Sequence, residues 1–267
     1  MEPYNVKILT YPDLSKRVKI YSKAVESPNY CPPVRSSNPF DKNLVLNVND
    51  FDEHFAHSRD VSYKRTLQSV YDYAKSNVWD YFVTFTFSPK KVNRYDYDEC
   101  TKLLSKWLNN LKRSSPTLSY LIVPERHKDG AYHFHGLFAG LSDRELVWTG
   151  KYVIKRSGGK FVRTKDKIYR FGHYKLGWMT ATEVKDMDRV TSYITKYITK
   201  DMMGALFGRK RYWASRNLLK PAEEVLLMDG YDLKVFSDDL SEISRYKKVS
   251  VAEYGELTQR VEIFDLG

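Results

Sequence analysis

The sequence predicts an α+β fold, and three observations predict it. Segments with apolar residues at helical spacing alternate with β-branched and aromatic runs through the middle of the chain. Two of those runs, "LSYLIVPER" and "GAYHFHGLF", are joined by a "KDG" turn and so form an antiparallel pair. A third signal is a pair of short alternating runs around Ser157-Gly158-Gly159, which reads as a projecting β-hairpin.

Taken in order, residues 1–58 carry prolines at 3, 12, 28, 32, 33 and 39 and little periodicity, and read as an irregular N-terminal extension with a few short strands. "SYKRTLQSVYDYAKS" (62–76) spaces Leu67, Val70, Tyr71 and Ala74 as a helix does, and "WDYFVTFTFSP" follows as a buried strand closed by Pro89. "DYDECTKLLSKWLNNLKRS" puts Leu103, Leu104, Trp107, Leu108 and Leu111 on one helical face. The two hairpin strands come next. After the basic hairpin, "GWMTATEV" is a fourth core strand, leading into "KDMDRVTSYITKYITKDM". There Asp186 or Asp188 caps a helix whose apolar stripe is Val190, Ile194 and Ile198. Residues 206–267 read as a C-terminal extension, acidic from Tyr231 onward.

Composition narrows the function classes. The chain has 267 residues, 42% of them hydrophobic, enough for one large domain with extensions. Cys31 and Cys100 are far apart and form no CxxC pattern, which argues against a disulfide framework or a cysteine zinc site and for a reducing, cytoplasmic setting. The start has no apolar leader core and no run reaches membrane-spanning length, so neither secretion nor membrane insertion is expected. Charge points to nucleic acid: the net is +11, and aromatics make up 15%. That charge is local, because residues 151–175 hold nine Lys or Arg and one acid, Asp166.

The strand "GAYHFHGLF" raises the first chemical question. His133 and His135 are two apart, so both rings leave one face of a strand while Phe134 takes the other. A lone His-x-His pair also fits two hydrogen-bonded sheet histidines, so its meaning rests on what shares the face. A two-residue Asp129-Gly130 loop would set Arg126 opposite His133. A three-residue loop, Lys128-Asp129-Gly130, gives Gly130 the left-handed position such loops prefer and sets Glu125 opposite His133. We adopt the second register. Glu125, His133 and His135 then form a mixed oxygen and nitrogen set suited to Mg²⁺ or Mn²⁺ and able to take Zn²⁺ or Co²⁺. His127, at the loop edge, is an alternative ligand. A cupin-type site would need a Glu three or four residues beyond His135, where Phe138 and Ala139 stand instead.

The second constellation is "YITKYITK", residues 193–200. One helical turn separates Tyr193 from Tyr197 and Lys196 from Lys200, so each pair stacks along a helix face. An amphipathic helix with half-buried tyrosines has the same pattern. Beside a metal site the tyrosines have another use: a phenol with a pKa of about 10 can attack phosphorus when the phosphate is already polarised and a lysine offsets developing charge.

The ordered set "VTFTFS" (83–88), "HFHGLF" (133–138) and "YITKYITK" resembles motifs I, II and III of the HUH single-strand endonucleases. The tandem tyrosines resemble those of replication initiators from rolling-circle plasmids and single-stranded DNA phages. The likeness spans about residues 80–202, with a softer echo in "RYWASRNLLKP". It implies a central five-stranded antiparallel sheet flanked by helices within residues 59–205, the basic hairpin (about 150–175) being an insertion. It also implies a divalent metal, Mg²⁺ or Mn²⁺, held by Glu125, His133 and His135. Tyr193 and Tyr197, assisted by Lys196 and Lys200, would attack single-stranded or hairpin origin DNA, leaving a 5′-phosphotyrosine link and a free 3′-OH. Each exchange swaps one phosphodiester for another, so no ATP is consumed.

Lys155, Arg156, Lys160 and Arg163 on the hairpin would grip the DNA backbone, with Tyr152 and Phe161 stacking on bases. "GALFGRK" has the wrong spacing for a phosphate loop, so unwinding falls to a host helicase and extension to a host polymerase, in a bacterial cytoplasm. Two readings compete with an initiator: a relaxase or single-strand transposase of the same superfamily, and a non-catalytic DNA-binding protein on the same scaffold.

Overall fold

The computed structural model describes residues 2–25, 48–199, 202, 206, 208–254 and 257–267. The chain divides into two units, one made of residues 1–51 and 220–267, the other Asp52–Leu219.

The first unit joins the two ends of the chain. Strands β1 (Tyr4–Thr10) and β2 (Lys16–Val25) form a sheet with β10 (Ala222–Leu226), β11 (Tyr246–Tyr254) and β12 (Leu257–Leu266), in the order β10-β1-β2-β12-β11. Every pairing is antiparallel. Val6, Val18, Ile20 and Phe264 make the buried face, covered by Leu240 of helix α4 (Gly230–Ile243). Arg17 lies opposite Asp265 and grips both its carboxylate oxygens, at 2.6 and 2.8 Å. Strands from the two segments read from the sequence as terminal extensions, 1–58 and 206–267, thus share one sheet, while residues 52–58 and 206–219 belong to the second unit. Their alternation is visible in "YNVKILT" and "KRVKIYSKAV", but no local pattern shows that the partner strand lies more than 200 residues away.

The second unit carries all but the first turn of helix α1 (Val48–Lys75), strand β3 (Tyr81–Phe87), helix α2 (Tyr97–Ser114), and strands β4 (Ser119–Arg126) and β5 (Tyr132–Ala139). The basic hairpin β6 (Leu146–Ser157) and β7 (Lys160–Phe171) follows, then β8 (Gly177–Glu183), helix α3 (Met187–Thr195) and the short β9 (Trp213–Ala214). Their sheet runs β6-β7-β8-β3-β5-β4-β9. It has seven strands where the resemblance implied five. The hairpin is not a separate projection at its root, since β7 joins β8 through the pair Tyr169↔Ala181. At the other edge β9 pairs with β4 at Leu121 and Ile122, covering backbone groups that an open edge would expose.

The two faces of this sheet have different tasks. Val83, Phe85 and Phe87 of β3 and Phe134 and Phe138 of β5 are fully buried, and Trp107 of α2 meets Phe85 edge-on at 5.3 Å. Helix α2 starts where Asp96 accepts hydrogen bonds from the amides of Asp98 and Glu99 at 2.9 and 3.1 Å. It buries Cys100, Leu104, Leu108 and Leu111. The opposite face carries Phe82, Thr84, Thr86, His133 and His135, and α3 lies there. Asp186 caps α3 by accepting from the Arg189 amide at 2.9 Å, while Asp188 instead pairs with Lys75 of α1 at 2.6 Å. Val190 and Ile194 of α3 and Ile198 just beyond it are buried, as their spacing predicts. No helix among the described residues is long and apolar enough to cross a membrane.

Candidate active site

The β4–β5 turn sets the register of the site. The amide of His127 donates to Ala131 O and the amide of Gly130 to His127 O, both at 2.8 Å, closing a three-residue loop. Gly130 has φ +87°, which a residue with a Cβ adopts only with strain. Glu125 consequently lies opposite His133 and Val123 opposite His135, the three-residue register read from the sequence. On the other side of β5, β3 sets Thr84 opposite His135 and Thr86 opposite His133.

Side-chain contacts follow from that register. The Nδ1 atoms of the histidines meet threonine hydroxyls, His135 with Thr84 at 3.1 Å and His133 with Thr86 at 3.4 Å. His135 Nε2 hydrogen-bonds Glu125 Oε2 at 2.7 Å. This bond, followed by the nearby imidazole charges, holds the Glu125 carboxyl below the usual carboxylate range despite some burial. Burial, then the neighbouring His127, pushes the His133 imidazole below its ordinary value, favouring the neutral ring. His127 itself stacks on His133, ring centroids 5.0 Å apart. Among the described residues, no three His, Cys, Asp or Glu side chains gather their donors as a metal site would. The Glu125 carboxylate is turned onto His135.

The tyrosines complete the cluster. Helix α3 is shorter than the sequence predicts: it ends at Thr195, and the amides of Lys196, Tyr197 and Ile198 bond three residues back, tightening the chain into turns. Tyr193 and Tyr197 therefore do not stack in parallel along one helix. Their rings meet edge to face at 5.4 Å. Tyr197 lies flat on His135, and Phe82 packs against His135, Tyr193 and Tyr197. Burial first, then the neighbouring Tyr193 hydroxyl and the Glu125 charge, hold the Tyr197 phenol protonated well above the ordinary tyrosine range. The Lys196 ammonium sits 5.8 Å from the Tyr193 ring centre. Lys200 falls outside the described residues.

The structure separates the predicted hairpin residues from this cluster. Gly158 and Gly159 form the tip with φ +56° and +79°, so Ser157 pairs with Lys160. Lys155, Arg156, Lys160, Arg163 and Phe161 are exposed around it. Arg163 lies over the half-buried Tyr152 ring at 4.0 Å, and Lys155 reaches Asp166 at 3.4 Å. Sequence reasoning did not assign roles to Thr84, Thr86 or Phe82. Their signal was the alternation inside "FVTFTF", which puts all three on the histidine face.

Residues 80–202 match the family model of the replication-associated protein ORF2. No curated protein and no solved structure matches the chain. The family match runs from the residue before β3 to just past α3, so it contains Glu125, both histidines and both tyrosines. It supports a replication-initiator role for the chain and DNA as its partner.

Proposed function

We propose that the chain starts DNA replication by nicking single-stranded origin DNA through tyrosine attack and later rejoins the strand. The observation that carries the reading is Tyr197 stacked on His135 beside Glu125, His133 and Tyr193, all within the segment that matches the replication-associated family. A phosphodiester reaching this face would meet two phenols, two imidazoles and a carboxylate together.

Two imidazoles and a carboxylate have the donor chemistry of a divalent cation site, and Glu125, His133 and His135 would hold Mg²⁺ or Mn²⁺ once the Glu125 to His135 hydrogen bond opens. Bound there, the ion would supply electrophilic polarisation of the phosphate. The threonines orient the ligands: with Thr84 and Thr86 on Nδ1, the Nε2 atoms of both rings are the ones left for ligation. Neutral His133 keeps a lone pair available at physiological pH.

A tyrosine oxygen forms a bond to phosphorus as its phenolic proton departs. The bond from phosphorus to the 3′ oxygen breaks, and that oxygen takes up a proton, leaving a free 3′-OH and a 5′-phosphotyrosine. Lys196, next to Tyr193, offsets negative charge as the phosphorus is attacked, and Lys200, three residues after Tyr197 in the sequence, is assigned the same task. With two tyrosines, the second attacks when a round of synthesis is complete and the strand is passed on and closed. A host polymerase would extend the 3′-OH and a host helicase would open the duplex.

The test is strand polarity on an end-labelled oligonucleotide carrying candidate origin sequence, with Mn²⁺ present. Label at the 3′ end should remain on the protein in a denaturing gel, while label at the 5′ end is released as a shorter strand that a polymerase extends. Release of both fragments free of protein would contradict the tyrosine link.

A further inference from the structure

One row of side chains crosses the sheet at the level of His133. Glu125 opposes His133, His133 opposes Thr86, and Thr86 opposes Trp178, so β4, β5, β3 and β8 each give one residue to the same face. The first three belong to the proposed site. Trp178 is two strands from His133, about 10 Å at ordinary strand spacing, and is 63% exposed although β8 is an interior strand.

Its surroundings are cationic. The Lys151 ammonium sits 5.9 Å from the Trp178 ring centre. Arg170 is next to Tyr169, which pairs with Ala181, so the alternation of β7 puts Arg170 on the same face as Trp178. The start of β8 is held tightly: a Cβ at Gly177 would lie 2.2 Å from Thr86 O and 2.5 Å from Ser88 N. The backbone under Trp178 is therefore fixed against β3, and the indole is presented from a rigid strand.

We propose that Trp178 is a stacking platform for a base flanking the phosphodiester that reaches the histidine row, with Lys151 contacting the adjoining backbone phosphate. The ligand is single-stranded DNA, and the inference rests on the reading above for that identity. A broad exposed indole with a neighbouring cation is what sequence-tolerant single-strand binding uses. Placed in register with His133, Trp178 would set how far the strand advances across the face and so which phosphate meets the tyrosines. It is a positioning residue.

The experiment compares the full chain with Trp178→Ala, Trp178→Phe and Lys151→Ala, using fluorescence anisotropy. The probes are a labelled oligothymidylate and an abasic oligomer of equal length and charge. Trp178→Ala should weaken oligothymidylate binding about 5- to 100-fold, leave abasic binding unchanged, and be largely rescued by Trp178→Phe. Lys151→Ala should weaken both probes and lower the salt slope by about 0.7. Equal loss on both probes, or no loss on oligothymidylate, overturns the platform. Covalent adduct formation, scored separately, decides the nicking reading: tight, Trp178-dependent binding without adduct removes the enzyme and keeps the platform. No binding of oligothymidylate by the intact chain removes both.

Discussion

Tyr197 lies flat on the imidazole of His135, ring centroids 3.6 Å apart and planes 10° from parallel. The ring therefore has a packing role separate from its hydroxyl. Tyr197→Phe keeps the stack and should change unfolding free energy by less than about 0.5 kcal/mol. Tyr197→Ala removes a half-buried ring and its packing against His135, Phe82 and Tyr193, and should cost about 2 kcal/mol. Urea unfolding of the two variants checks the difference.

The Glu125 and His133 shifts predict how stability of the metal-free chain depends on pH. Both groups have folded-state values below their ordinary ones, 4.5 for the carboxyl and 6.5 for the imidazole, so in both cases the unfolded chain binds more protons. The stability tied to neutral His133 is complete above pH 6.5 and is lost as pH falls through its folded value. The part tied to ionised Glu125 is complete above pH 4.5 and is lost further down. Melting temperature should thus begin to fall below neutrality, and His133→Asn should flatten the first part of that fall. An unchanged profile would contradict the assignment to His133.

Gly130 and Gly136 test the register and packing of the histidine strand. Gly130 is in the left-handed region, so Gly130→Val should destabilise by more than about 1 kcal/mol. A Cβ at Gly136 would meet Phe138 Cε2 at 2.6 Å and Ile122 Cγ1 at 3.0 Å, both in the buried core. Gly136→Ala should therefore cost about 1 to 3 kcal/mol through overpacking. Thermal or urea denaturation reads both, and a neutral result at Gly136 would mean the β4–β5 core has slack that its burial does not show.

Replacing Lys155, Arg156, Lys160 and Arg163 together by alanine should weaken single-strand binding and reduce the salt slope by up to about 3, at about 0.7 for each phosphate no longer neutralised. These side chains are exposed, so folding should be unaffected. Binding with an unchanged salt slope would mean that the hairpin does not grip the backbone.

Much of the site's framework was legible because it is local. The period of two placed His133 and His135 on one face, and the preference of Gly130 for a left-handed position fixed Glu125 opposite His133. Three features were not legible, each for a physical reason. The basic hairpin was read as a projection, but its strand β7 also pairs with β8 because a strand with mixed faces pairs wherever an edge is open, and Trp213–Ala214 is too short to announce itself as an edge strand. The pairing of β2 with β12 is long-range, and local alternation cannot name its partner. The end of α3 at Thr195 was missed because "YITKYITK" has perfect helical spacing, yet the chain there tightens into turns, with Tyr197 stacked on His135.

The most direct test of the account is covalent adduct formation by wild type, Tyr193→Phe, Tyr197→Phe and the double variant, on single-stranded candidate origin oligonucleotides with and without Mn²⁺. The account predicts a protein–DNA band that resists denaturation, requires the metal, persists in each single variant and vanishes in the double variant. Tight DNA binding by wild type with no adduct on any candidate, or an adduct that survives loss of both hydroxyls, would contradict it.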